Sequence, residues 1–237
     1  LNINDDEATR YVLSRTLRRA GYEIQEASSG YEALMLARQT PRLIVLDIKL
    51  PDLDGLEVCR RLKADPRTAR IPVLQTSATF VSAERKVEGL DSGADGYLVQ
   101  PVEPTELIAT VRALLRAQDA EEHLREAGME WQRTFDAIAE SAAILAGDGT
   151  ILRTNRALLA LVQSPHDDIT GRPVQDVFSR RLGIDDPILH LRGDGDLHRR
   201  TTEVESGGCW YRLVTDPIFD EHGHAGRFVL VMTDITS

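Results

Sequence analysis

The stretch Leu43-Ile44-Val45-Leu46-Asp47-Ile48-Lys49-Leu50-Pro51-Asp52-Leu53-Asp54-Gly55 decides the fold of this 237-residue chain. Its first four residues are apolar and two are β-branched, a run that is short for a helix and typical of a buried parallel strand. Because a carboxylate is costly to bury without partners, we expect Asp47 at the carboxyl end of that strand, where open α/β sheets bind ligands. Pro51, Asp54 and Gly55 then predict a turn.

Composition and charge narrow the class of protein. The chain is 42% hydrophobic and 28% charged, as folded globular proteins are, and its length predicts two domains. A net charge of -10 argues against nucleic acid or an anionic membrane as the main partner, because both need a basic face. The two cysteines form no disulfide or metal framework, which predicts a cytoplasmic location. No run approaches the roughly 20 apolar residues of a membrane span.

Strand and helix signals alternate through the first half of the chain. Strand signals cover residues 1–4, 22–27, 43–46, 71–75 and 96–99, and helix signals cover residues 11–20, 31–37, 56–63, 84–92 and 104–116. Five such repeats predict an α/β fold with a five-stranded, doubly wound parallel sheet. The ends of its first, third, fourth and fifth strands then gather at one edge, which carries Asn4-Asp5-Asp6, Asp47, Thr76-Ser77 and Gln100-Pro101.

These features, in this order, resemble the receiver domain of two-component response regulators, which has a flavodoxin-like fold. Gly93-Ala94-Asp95-Gly96-Tyr97 before Pro101 adds to the resemblance. It implies that Asp47 accepts a phosphoryl group from a histidine kinase or a phosphotransfer protein. It also implies a Mg²⁺ ion held by Asp5, Asp6, Asp47 and the backbone carbonyl of Lys49. Ser77 would hydrogen-bond a phosphoryl oxygen, and Tyr97 would switch between outward and inward rotamers.

The chemistry of such a site agrees with these residue types. A carboxylate attacks a phosphoryl group when a divalent cation neutralises the charge of the transition state, and Mg²⁺ prefers oxygen ligands. A second interpretation stays open for Asp5 and Asp6, since acidic residues also cap the amino terminus of a helix.

Two positions depart from the receiver pattern. Asn4 stands where the first of two adjacent acids is usual, and Gln100 stands where a lysine is usual. An amide donates a hydrogen bond but brings no positive charge to Asp47. Lys49 either substitutes in part or is an ordinary solvated lysine. We therefore predict a receiver that is phosphorylated but only weakly coupled to a conformational change.

Residues 117–134 predict a helical linker that continues the last receiver helix. Leu124, Gly128, Trp131, Phe135 and Ile138 recur with heptad spacing. The seam fits either a parallel coiled coil in a homodimer or a single helix whose apolar stripe packs on the next domain. Gly128 weakens the helix by about 1 kcal/mol relative to alanine and marks a place where it would break.

Residues 135–237 follow a different order of signals. We expect a helix over residues 135–141, a two-stranded hairpin around Gly147-Asp148-Gly149, a helix capped by Asn155, and strands over residues 197–204, 210–219 and 227–233. This order resembles a PAS domain, an α+β fold with an antiparallel sheet. Asp234-Ile235-Thr236 adds to the resemblance, because in PAS domains such an element leads into a signalling helix.

We expect no tightly held cofactor in this PAS domain. A flavin adduct needs a reactive cysteine on the helical side, whereas Cys209 lies in a predicted strand. His190, the one histidine with apolar neighbours at helical spacing, is more typical of ordinary packing than of haem ligation. Visible absorption by the purified protein would contradict this expectation.

The sequence thus predicts a receiver over residues 1–116, a linker over 117–134 and a PAS domain over 135–237. We expect a fragment of a hybrid sensor histidine kinase whose catalytic core follows Ser237, so that this piece itself is not an enzyme. The alternatives are a scaffold or dimerisation module that is never phosphorylated, and a regulator of a different C-terminal output enzyme.

Overall fold

The computed structural model describes residues 1–77, 92–163, 169–185, 187 and 198–236. The chain divides into two compact units, Leu1–Arg125 and Glu126–Ser237. Most of the helix predicted over residues 84–92, and also His190, lie outside the described residues. No helix in the described ranges combines the length and the apolar character that a membrane crossing requires.

The first unit contains a five-stranded parallel sheet. Its strands are β1 (Asn2–Ile3), β2 (Glu26–Ala27), β3 (Ile44–Asp47), β4 (Val73–Ser77) and β5 (Gly96–Val99), in the order β2-β1-β3-β4-β5. Its described helices are α1 (Glu7–Arg19), α2 (Gly30–Ala37), α3 (Gly55–Ala64) and the start of α4 (Pro104–Asp136). The predicted doubly wound sheet is confirmed. Strand β2 is shorter than predicted because β1 offers it only Asn2 and Ile3 as partners.

Strand β3 is buried on both faces of the sheet, as its apolar run predicts. Ile44 and Leu46 belong to an apolar layer with α2 and α3, which contribute Ala33, Ala37, Val58 and Leu62. Leu43 and Val45 point to the opposite layer, with α1 and α4, which contribute Leu13, Leu17, Leu107 and Val111. Because consecutive strand residues face opposite sides, four consecutive apolar residues suit a strand that is covered twice.

Helix α4 runs without interruption over 33 residues, from Pro104 to Asp136. The predicted continuation of the last receiver helix into the linker is therefore confirmed. The predicted break at Gly128 is wrong, because the helix continues through that residue. An added Cβ at Gly128 would meet nothing within 4 Å, so no packing contact requires glycine there.

The second unit contains a five-stranded antiparallel sheet and short helices. Its strands are β6 (Ser141–Ala146), β7 (Ile151–Thr154), β8 (Arg200–Ser206), β9 (Cys209–Phe219) and β10 (Ala225–Asp234), in the order β7-β6-β10-β9-β8. Its described helices are α5 (Arg156–Leu161) and α6 (Val174–Leu182). The predicted helix over residues 135–141 is too long, because Ser141 already pairs with Met232 in β10.

Asn155 fixes the corner between β7 and α5. Its Oδ1 accepts hydrogen bonds from the backbone N–H groups of Leu158, at 3.0 Å, and Ala142, at 2.9 Å. The predicted capping role is confirmed, and the second bond also ties the cap to β6. Strand β8 forms the edge beyond β9 and exposes charged side chains, of which Glu203 pairs with Arg212 at 2.9 Å.

Candidate phosphoacceptor site

Asp47 is the last residue of β3 and lies at the carboxyl edge of the parallel sheet. Ile3 pairs with Leu46, so the next residues along both strands, Asn4 and Asp47, lie side by side at that edge. Asp47 is only 6% exposed. The structure therefore places a buried carboxylate where the β3 sequence predicts one.

The surroundings of Asp47 disfavour its negative charge. Burial, followed by the charge of the nearby Asp5 carboxylate, raises the pKa of Asp47 from 3.8 to about 6. The backbone N–H of Ile48 and the ammonium of Lys49 act in the opposite direction but do not cancel the rise. Two carboxylates with an uncompensated repulsion are the donor set that a hard divalent cation stabilises.

Asp5 and Asp6 have different surroundings. Asp5 is exposed and interacts electrostatically with Asp47, as a shared cation would require. The Asp6 carboxylate instead caps α1, where it accepts the Thr9 N–H at 2.7 Å, and hydrogen bonds from the side chain and then the backbone of Thr9 lower the pKa of Asp6. The capping interpretation left open by the sequence thus applies to Asp6, whose role as a metal ligand stays a prediction.

The donor set suits Mg²⁺ without a third carboxylate. In the described part of the chain, no group of three or more His, Cys, Asp or Glu side chains is arranged to hold a metal ion. Mg²⁺ commonly keeps several waters and binds through one or two carboxylates. Asp5, Asp47 and the predicted backbone carbonyl of Lys49 therefore fit the ion.

Asn4 is buried and serves the local backbone. Its Oδ1 accepts the Asp6 N–H at 2.9 Å, and its carbonyl oxygen accepts a hydrogen bond from the Arg10 guanidinium. Asn4 thus braces the turn into α1 but adds no negative charge beside Asp47.

Gln100 also has a local partner. Its Nε2 donates to the Thr76 hydroxyl at 3.1 Å, and its backbone N–H donates to the Ser77 carbonyl at 2.7 Å. The side chain at the usual lysine position is therefore neutral and is engaged by a buried threonine. This contact was missed by sequence reasoning, although a polar residue directly before Ser77 in a buried strand was a signal for it.

Ser77 and Tyr97 lie on the neighbouring strands. Ser77 is buried at the end of β4, next to Val99 of β5. Tyr97 is half-buried in β5, and its hydroxyl is a buried atom without a hydrogen-bond partner among the described residues. The roles predicted for both residues stay predictions, but their strands end at the same edge as β3.

The loop after Asp47, residues 48–54, is held closely and is called the β3–α3 loop. The Gly55 N–H donates to the Ile48 carbonyl at 2.8 Å, and the Asp54 carboxylate caps α3 by accepting the Leu56 N–H at 2.8 Å. A Cβ on Gly55 would lie 2.2 Å from the Asp47 carbonyl oxygen. The close approach of the backbone therefore requires glycine here, in addition to the turn that the sequence predicted.

The fold and the sheet edge together define a receiver joined to a PAS fold. The family model described as "Response regulator receiver domain" matches residues 1–112, and the one described as "PAS fold" matches residues 135–237. The chain belongs to the response regulator family, since it is 38% identical to the response regulator MprA of Mycobacterium leprae over 182 residues. That match covers 75% of this chain and 78% of MprA.

Two further similar proteins each match about half of this chain. The DNA-binding dual master transcriptional regulator RpaA of Synechocystis is 48% identical over 120 residues, which are 50% of this chain and 49% of RpaA. This chain thus spans about half the length of that relative. The solved receiver domain of a signal transduction histidine kinase from Syntrophus aciditrophicus is 29% identical to this chain, with a TM-score of 0.46. The match covers 49% of this chain and 88% of the solved chain.

Proposed function

We propose that Asp47 accepts a phosphoryl group from a histidine kinase or a phosphotransfer protein, and that the signal passes through α4 to the PAS module. The observation that carries this proposal is the Asp47 carboxylate, which is buried at the carboxyl end of β3 beside Asp5; burial and, after it, the charge of Asp5 raise the pKa of Asp47 to about 6. If the negative charges had no function, an asparagine at either position would remove the repulsion.

The proposed reaction is an in-line transfer. A carboxylate oxygen of Asp47 forms a bond to phosphorus while the bond to the donor breaks, and the donor leaves with that electron pair. A bound Mg²⁺ would supply charge neutralisation at the phosphoryl oxygens. The Ser77 hydroxyl would donate to one of these oxygens. Gln100 would offer only a neutral amide already engaged by Thr76. Coupling of phosphorylation to the rest of the domain would therefore be weak.

Intact-mass measurement after incubation with acetyl phosphate and Mg²⁺ tests the phosphoacceptor. We expect the wild-type chain to gain the mass of one phosphoryl group and Asp47→Asn to gain none. Asp65→Asn is the matched control, since Asp65 is a half-buried carboxylate beyond the end of α3 that pairs with Arg67. A wild-type chain that gains no mass, or an Asp47→Asn variant that does, would contradict the proposal and favour the scaffold alternative.

We also propose that the chain is a homodimer through α4 and the PAS module. Leu124 is 77% exposed on the continuous helix, and Trp131 and Met129 are partly exposed farther along it. The single-helix alternative has support at the other end of the seam. There Phe135 is buried, and Trp131 stacks on Phe135 with ring centroids 5.0 Å apart.

Sedimentation equilibrium distinguishes these two arrangements. We expect Leu124→Glu to shift the chain towards monomer, whereas Met35→Glu, on a side chain 72% exposed on α2, leaves the oligomeric state unchanged. A wild-type chain that is monomeric at all concentrations would support the single-helix arrangement. A dimer dissociation constant that is unchanged by beryllofluoride, a phosphoryl mimic, would favour the scaffold alternative.

The proposed wider context is a cytoplasmic sensor histidine kinase, with a different output enzyme as the alternative. The PAS fold following the receiver supports a sensing module, for which we propose no tightly held cofactor. The relatives reported above are a response regulator and a transcriptional regulator, which weighs against the kinase context. Expression of the full-length gene product followed by an ATP autophosphorylation assay separates the two contexts.

A further inference from the structure

Asp52 links the β3–α3 loop to a different helix. Its two carboxylate oxygens accept the backbone N–H groups of Gly30, at 2.8 Å, and Tyr31, at 2.9 Å. These are the first two residues of α2, whose amides have no partner within the helix itself. Each carboxylate oxygen therefore serves one otherwise unpaired donor, across 22 and 21 residues of sequence.

Close packing shows that this contact holds the loop tightly against α2. A Cβ on Gly30 would lie 2.9 Å from the Leu53 Cβ and 2.9 Å from a Val58 methyl group, closer than side chains normally approach. The loop is thus held at two places, by Asp52 on α2 and by the Gly55 hydrogen bond to Ile48. Lys49, two residues beyond Asp47, lies in the chain between these two points of attachment.

We propose that Asp52 is a positioning residue for the divalent cation of the phosphoacceptor site. By holding the first turn of α2, its carboxylate fixes the β3–α3 loop and with it the Lys49 carbonyl. It thereby sets the affinity of the site for the metal. This inference rests on the proposed function. Removal of a group that orients a metal ligand without touching the metal typically lowers the affinity for the metal by about 10–100-fold.

The same contact has a simpler interpretation, in which Asp52 only caps a helix. The chain offers a direct comparison, because Glu32 stabilises the same end of α2 without touching the loop. Its carboxylate accepts the Ser28 N–H at 2.8 Å and the Ser28 hydroxyl at 3.3 Å. If capping were the whole role of Asp52, Asp52→Ala and Glu32→Ala would affect the metal site equally.

Titration of the full chain with Mn²⁺, followed by electron paramagnetic resonance of the free ion, tests this without relying on phosphorylation. We expect Asp52→Ala to weaken Mn²⁺ binding by about tenfold and Glu32→Ala to leave it unchanged. Asp52→Asn keeps one acceptor oxygen and should lie between. Circular dichroism of each variant checks that α2 and the sheet are retained, and Asp52→Asn decides the matter if Asp52→Ala does not fold.

The outcomes separate the inference from the proposed function. Equal Mn²⁺ affinities of Asp52→Asn, Asp52→Ala and wild type would overturn the positioning role while leaving the metal site intact. Equal losses in the Asp52 and Glu32 variants would also overturn it, in favour of simple capping. A wild-type chain that binds no Mn²⁺ would overturn the proposed metal-dependent function, and the positioning role with it.

Discussion

Gly55→Ala is expected to disrupt the site through the backbone rather than through any functional group. The new methyl carbon would lie 2.2 Å from the Asp47 carbonyl oxygen and 2.8 Å from the Ile48 Cα. Ordinary contact begins near 3.4 Å. The backbone after Asp47 must therefore retreat by about 1.2 Å, and it cannot rotate away as a flexible side chain would.

The cost follows from what this retreat breaks. The hydrogen bond from Gly55 N–H to the Ile48 carbonyl contributes about 1 kcal/mol, and forced overpacking costs roughly 1–3 kcal/mol more. Alanine recovers up to about 1 kcal/mol because it favours a helix over glycine. We expect a net loss of roughly 2 kcal/mol in the free energy of unfolding of the receiver, which lowers the urea midpoint by about 1 M.

The two tryptophans make the assay selective. Trp131 and Trp210 both lie in the second unit, so their fluorescence follows that unit, whereas far-UV circular dichroism follows both. Gly55→Ala should move the circular dichroism transition and leave the fluorescence transition in place. Gly128→Ala is the matched control of opposite sign. It adds a methyl group in open space within a helix, and should stabilise by about 0.5–1 kcal/mol.

A Gly55→Ala variant as stable as wild type would refute this reasoning. It would mean that the loop yields without cost, and that the close approach of Gly55 to the Asp47 carbonyl has no structural importance. A variant that loses stability but accepts phosphate at the wild-type rate would limit the role of Gly55 to packing.

Three further predictions concern charge. In metal-free buffer the pKa of Asp47 is about 6 in the folded state and 3.8 ordinarily. The contribution of Asp47 to stability is therefore largest below about pH 4 and is lost as the pH rises through 6. Asp47→Asn should have a higher urea midpoint than wild type at pH 7 and the same midpoint near pH 4. Gln100→Lys brings an ammonium towards Asp47 and should lower its pKa by about one unit or more, seen as a shift of the carboxyl carbon titration in NMR; an unchanged titration would show that the new side chain points elsewhere. The Arg153 guanidinium lies 5.1 Å from the Trp131 ring centre, so Arg153→Ala should destabilise the second unit by about 0.5–1 kcal/mol in fluorescence-detected unfolding, and no change would exclude a stabilising cation–π contact.

The sequence was sufficient to predict features that depend on local patterns. The apolar run before Asp47 predicted a doubly covered strand, and Asn155 before an apolar helical pattern predicted a cap. Both depend on residues within a few positions of each other. The break predicted at Gly128 was wrong because the low helix propensity of one glycine is overridden by the residues on both sides of it.

Contacts between distant segments were not predictable in this way. The bond from Gln100 to Thr76 spans 24 residues, and those from Gly30 and Tyr31 to Asp52 span more than 20. Each depends on where strands and helices end in space. The sequence indicated that Gln100 lacks a charge, but only the structure, in which β4 and β5 end side by side, shows that Thr76 engages its amide.

Strand β8 has a consequence for how copies of this protein avoid aggregation. An edge strand presents unpaired backbone groups that another chain can extend, and charged side chains on such a strand oppose this. Arg200, Glu203 and Glu205 give β8 charges of both signs, and Glu203 is held by Arg212 of β9. Another strand added at this edge would have to accommodate these charges. Growth of the antiparallel sheet from one copy to the next is thereby discouraged at the β8 edge.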